Sequence, residues 1–136
     1  MVHGEEWLID ATGCDGELLR DGAVLRQLAD DLIADLRLGV LGSPLWQQFP
    51  FPGGWTGIYL LRESHLACHT FPESGFATWN LYCCRPREPW EWQRELSLRL
   101  GATRIEVRRV TRGIATEPAT VREFSQVIAQ PTGTAR

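Results

Sequence analysis

Apolar residues recur along this chain with two different periods. Between Asp21 and Gly39, the residues Leu25, Leu28, Ala29, Leu32, Ile33 and Leu36 fall at i, i+3, i+4, i+7, i+8 and i+11. That is the stripe of a helix with one buried face. Asp21 suits the N-cap and Gly39 the end. A second helical stretch follows Pro89, a residue favoured at the first helical position; Trp92, Leu96 and Leu100 are spaced by four, and Gly101 stops it. Short apolar or alternating runs at 7–12, 55–63, 65–70, 76–84 and 104–110 predict five strands. The stretch 40–54 holds three Pro and three Gly, so a loop with at most a short edge strand is expected there. The sequence Pro-Glu-Ser-Gly at 72–75 is turn chemistry.

Strands joined by short turns make an antiparallel sheet. The expected fold is therefore α+β, a two-layer sandwich with two amphipathic helices on one sheet face. Alternation in the fourth strand says what each face is for. Ala77, Trp79, Leu81 and Cys83 share a core-like side, whereas Phe76, Thr78, Asn80, Tyr82 and Cys84 share a mixed, polar one. The polar face suits a site or a subunit interface. Parity makes Cys83 buried and inert and places Cys84 on the functional face. Residues 1–112 are expected to form a single domain. The polar segment 113–136 is expected to be partly disordered, with one short helix around 118–129.

Composition narrows the class. The chain has 136 residues, 43% apolar and 23% charged, with a formal net charge of −3. That excludes a broad basic surface for nucleic acid; the arginines near 104–112 read as a solvated face. No apolar run reaches the length of a membrane span. The first ten residues lack the basic-then-apolar layout of a signal peptide, so a cytoplasmic protein is expected. Cys14, Cys68, Cys83 and Cys84 show no C-x-x-C spacing, and free thiols fit a reducing compartment.

The candidate chemistry lies in RESHLACHTFPESGF, residues 62–76. A Ser-His hydrolase would need an orienting acid, an oxyanion hole and a nucleophile elbow, and no G-x-S-x-G is present. Cys84 and His69 would make an unusually small thiol hydrolase. His65 and His69 on one strand would be about 13 Å apart, too far to share an ion, so no metal is expected. Parity adds a further constraint. Ser64 and His69 differ by five, so a straight strand would put them on opposite faces; either Ser64 lies outside the strand or the strand breaks there.

The run Glu63-Ser64-His65-Leu66-Ala67-Cys68-His69-Thr70-Phe71-Pro72-Glu73 resembles the central motif of the prokaryotic S-adenosylmethionine decarboxylase proenzymes, E-S-H-x-x-x-H-T-x-P-E. Cys84 closes the next strand as in that family, and Gly13-Cys14-Asp15 and Pro89-Trp90 also match. The resemblance spans roughly residues 4–112. It implies self-cleavage between Glu63 and Ser64, giving a β chain 1–63 and an α chain from Ser64 headed by a pyruvoyl group. It implies that His69 is the base of processing, that Thr56 takes part in processing, and that Cys84 is the proton donor. It implies that Glu73 binds the ribose of the substrate. The ketone would form a Schiff base with the substrate amine and accept the electrons left by CO2, as pyridoxal phosphate does. The product would be the aminopropyl donor for spermidine synthesis, and the protein a homodimer.

The departures from the family lie on the substrate side. Gly4-Glu5-Glu6 replaces G-R-H, Trp55-Thr56-Gly57 replaces V-S-G, and Asn80 replaces an Asp. Pro50 stands where an aromatic stacks on adenine, with Phe49 and Phe51 on either side as candidates. Asp10 in the first strand is a further candidate for the site. A pyruvoyl-dependent decarboxylase of ornithine or arginine is the alternative; a non-catalytic paralogue serving as a partner subunit is another.

Overall fold

A computed structural model describes residues 2–113. The elements run β1 (Gly4–Thr12), α1 (Gly16–Arg20), α2 (Gly22–Asp35), β2 (Leu45–Gln48), β3 (Trp55–Leu61), β4 (Ser64–Phe71), a 3-10 turn (Pro72–Ser74), β5 (Phe76–Cys83), α3 (Trp92–Leu100) and β6 (Arg104–Arg112). The six strands form one antiparallel sheet in the order β2-β3-β4-β5-β1-β6. The helices cover one face, so the expected α+β two-layer architecture is what the chain adopts. The expected tail helix lies outside the described residues.

The core follows from strand alternation meeting helical stripes. Ile9, Ala11, Tyr59, Leu61, Leu66, Cys68, Ala77, Trp79 and Leu81 point at the helices and are buried. Leu19 of α1, Leu25, Leu28, Ala29, Leu32 and Ile33 of α2 and Trp92, Leu96 and Leu100 of α3 are the buried helical residues of the same core, with Leu36 just past α2 half-buried against it. Each such large side chain contributes about 1.5–3 kcal/mol relative to exposure.

Four expectations need correction. Helix α1 was not foreseen; GELLR is too short to show a stripe, and it is started by Asp15, whose carboxylate accepts the Glu17 N–H at 2.9 Å. Helix α2 is capped by Asp21 as expected but ends at Asp35 instead of running to Gly39. Leu38 N–H bonds the Ile33 carbonyl at 2.9 Å and Arg37 N–H that of Ala34 at 3.1 Å, with Arg37 left-handed at φ 56. That is a Schellman close, with an arginine where glycine is usual. Pro89 does not open α3. The helix starts at Trp92 behind Glu91, and the Trp90 indole N–H reaches Asp35 at 2.9 Å, tying the preceding segment to the end of α2. The arginines of β6 are also not merely a solvated face. Arg108 pairs with Asp10 and Arg112 with Glu6, both at 2.8 Å, and Arg109 pairs with Glu5. These pairs let β1 begin at Gly4 despite its two leading carboxylates.

The uncovered sheet face carries rows of side chains in register. One row runs Leu45, Ile58, Ala67, Asn80, Leu8 and Arg108; the next runs Leu60, His65, Tyr82, Glu6 and Val110. Leu45, Leu60, Ile58 and Val110 are exposed on it. Among the described residues no helix is long and apolar enough to cross a membrane.

Candidate active site

The motif residues gather at the two ends of β4. At its N-terminal end, Leu61 pairs with Ser64, leaving Arg62 and Glu63 as a two-residue turn. Glu63 is left-handed, φ 58, which a side chain adopts only at some expense. Its carbonyl accepts the Cys84 N–H at 2.8 Å. Its carboxylate is gripped by the Arg85 guanidinium through two contacts, 2.8 and 3.1 Å. Ser64 is buried and its hydroxyl donates to the Arg62 carbonyl at 3.2 Å.

Parity had required Ser64 to leave the strand or the strand to break. Neither happens. Ser64 is the first paired residue of an unbroken β4 and faces the helices. The distortion sits one residue earlier, in Glu63.

At the other end of β4, Thr56 lies opposite His69, and Thr56 Oγ1 meets His69 Nδ1 at 2.9 Å. They line a cavity of about 380 Å³ with Phe49, Pro50, Phe71 and Glu73. That volume suits a small molecule. The loop that supplies Phe49 is pinned by Phe49 N–H to the Gly54 carbonyl at 2.8 Å and by Gln48 to Gly53. Gly54 is required there, because a Cβ would sit 2.3 Å from the Thr70 carbonyl oxygen. Of the two candidate aromatics, Phe49 lines the cavity; Phe51 is 94% exposed and does not.

The two ends do not meet within one chain. Five residues of strand place His69 about 16 Å from Ser64, and their side chains leave opposite faces of the sheet.

The cysteines divide as expected in burial. Cys83 is buried, and burial pushes its thiol up; burial also pushes up Cys68, and Cys14 to about 11. Cys84 is exposed, but it lies just past the end of β5 instead of inside it. Asp10 shares the open face and is held by Arg108, two strands from β4.

A relay on the open face was not foreseen. The His65 ring stacks on Tyr82, centroids 5.6 Å apart and planes 9° from parallel. His65 Nε2 lies 3.0 Å from Asn80 Oδ1, and Asn80 Nδ2 donates to Glu6 at 2.8 Å. With the Asn80 amide donating to a carboxylate, its oxygen accepts, so His65 Nε2 carries the proton. Burial raises the Glu6 carboxyl, but bonds from Asn80 and Arg112 outweigh it and hold it below the usual range. Glu6 and Asn80, two separate departures from the family motif, thus touch. Strand register would have revealed the contact; neither position alone does.

Comparison with known proteins defines the class first. The solved adenosylmethionine decarboxylase of Aquifex aeolicus superposes with a TM-score of 0.70 at 29% identity, covering 88% of this chain and 98% of that one. The S-adenosylmethionine decarboxylase proenzyme of Clostridium tetani is 31% identical over 90% of this chain and 97% of its own length. The same-named protein of Pelotomaculum thermopropionicum is 32% identical over 86% and 93%. The S-adenosylmethionine decarboxylase family profile matches residues 5–113. The chain belongs to that family.

Proposed function

We propose that this chain is a proenzyme that cuts itself before Ser64 and, with the pyruvoyl group so made, decarboxylates S-adenosylmethionine. One observation carries the reading. The Glu63–Ser64 peptide joins a left-handed glutamate to a buried serine, and its carbonyl is already held by the Cys84 amide at 2.8 Å. The names of the relatives, decarboxylase and proenzyme, support it.

Ser64 Oγ attacks the Glu63 carbonyl carbon. The Cys84 N–H stays on the oxygen as negative charge develops there, as an oxyanion donor does. Strain of about 1 kcal/mol in Glu63 is released as the amide gives way to the ester. A base removes the Ser64 α-proton, the Cβ–O bond breaks, and Glu63 leaves as a carboxylate. The dehydroalanine left at position 64 takes up water and loses ammonia, giving the ketone. Residue 64 would carry the resulting ketone, which would supply an electrophile for a primary amine and a sink for the electron pair left by CO2. Phe49 offers a ring for an adenine and Glu73 a carboxylate for ribose hydroxyls, both at the His69 cavity. The exposed Cys84 thiol serves as the proton donor to the substrate carbon.

His69 is the processing base, but only across a dimer. A second copy stacked open face to open face, with its β4 running antiparallel, would carry its His69 toward the open side of the Glu63–Ser64 peptide, opposite the Ser64 side chain. The exposed Leu45, Ile58, Leu60 and Val110 supply apolar area for that contact.

Denaturing electrophoresis tests processing: two bands, separated before Ser64, are expected. CO2 release with S-adenosylmethionine, ornithine and arginine in parallel tests the substrate. A single full-length band without a reactive carbonyl rejects the proposal, and turnover of a free amino acid alone rejects the substrate.

A further inference from the structure

We infer that a second cavity, beside the cleavage turn, is an anion site for the α-carboxylate that cleavage creates on Glu63. The inference rests on the self-cleavage reading and adds a destination for its charged product.

Arg37, Leu38, Gly39, Arg62, Glu63 and Arg87 line this cavity of about 460 Å³. In the uncut chain Glu63 ends in a neutral amide. When the Cβ–O bond of the ester breaks, its electron pair stays on the Glu63 carboxyl and the lost proton is the one from Ser64 Cα. One full negative charge appears at the cavity wall. Three guanidinium groups already wait there. Arg37, Arg62 and Arg87 make no ion pair among the described residues, whereas Arg108, Arg109 and Arg112 of β6 are all paired. Arg87 Nε is buried without a hydrogen-bond partner. The Glu63 side-chain carboxylate does not satisfy them, since Arg85 holds it.

The backbone gives an independent sign. Arg37 and Glu63 are the two non-glycine residues with positive φ among the described residues, 56 and 58, and both line this cavity. Arg37 ends α2 where glycine would be unstrained. Strained residues persist where a function holds them. Three like charges in one cavity repel, and a planar carboxylate matches the guanidinium fork. A cationic sulfonium ligand would be repelled.

The test compares two proteins: the cut enzyme and the uncut Ser64→Ala chain. Arg87→Gln and Arg37→Gln are made separately in each, and thermal unfolding is measured. A merely structural arginine lowers Tm equally in both. The inference expects the cut enzyme to lose about 3 °C or more beyond the uncut chain's loss. Arg87→Lys should recover part of that difference. Without any cavity substitution, added salt should lower the Tm of the cut enzyme more than that of Ser64→Ala. Equal losses in both backgrounds, with no differential salt effect, overturn the inference while leaving self-cleavage intact. A chain that stays whole on a denaturing gel overturns both.

Discussion

The two ends of β4 are opposites. At the Ser64 end the residues are held tightly: a buried serine, a left-handed glutamate, a carbonyl fixed by an amide and a carboxylate fixed by an arginine. At the His69 end the residues are open: Phe49 and Glu73 stand on the rim of a cavity with solvent beside them. The first arrangement suits an intramolecular reaction performed once. The second suits a ligand that comes and goes many times. The contrast teaches that the motif residues form two separate clusters, and that regular strand geometry, not a loop, keeps them apart.

The largest expected effect joins the halves. His69→Ala alone should stall at the ester, a full-length band that hydroxylamine splits. Ser64→Ala alone should never cut. Co-expressed, they should cut about half of the His69→Ala chains, because a mixed dimer contains one complete site. No cutting of the mixed sample would place both half-sites in one chain and break the comparison.

The cavity end can be sharpened next. Phe49→Ala should leave processing untouched and raise KM for S-adenosylmethionine about tenfold, the worth of a lost aromatic stack. Phe51→Ala should do neither, as steady-state kinetics would show.

A smaller effect tests strain at the tight end. Glu63→Gly should stabilise the uncut Ser64→Ala chain by about 1 kcal/mol and slow cutting in the Ser64 background several-fold. Denaturant midpoints and a cleavage time course would measure these.

The smallest effect concerns Glu6. Its folded carboxyl is held below the ordinary value by Asn80 and Arg112 against the push of burial. Its stabilising contribution is therefore complete above the unfolded carboxyl value of about 4.3 and is lost as pH falls through the lower folded value. Glu6→Gln should flatten the fall of Tm between about pH 5 and 3.

Local chemistry in the sequence accounts for much of this molecule. The α2 stripe, Asp21 as its cap, the left-handed Gly101 after α3 and the burial difference between Cys83 and Cys84 all depend on neighbours a few residues away. The residues of the central motif were readable for the same reason. Helix α1 and the true start of α3 were not, because both are fixed by contacts from other elements, such as Trp90 reaching Asp35.

What the sequence by itself determined was the kind of fold and which residue types are present for the chemistry, since periodicity and motif order are properties of the chain. What tertiary structure alone decided was who meets whom. Strand register set Glu6 diagonally beside Asn80 and put the Cys84 amide on the Glu63 carbonyl. Register is set by the packing of a whole sheet on its helices, and a side chain's neighbours across strands are not encoded at its own position.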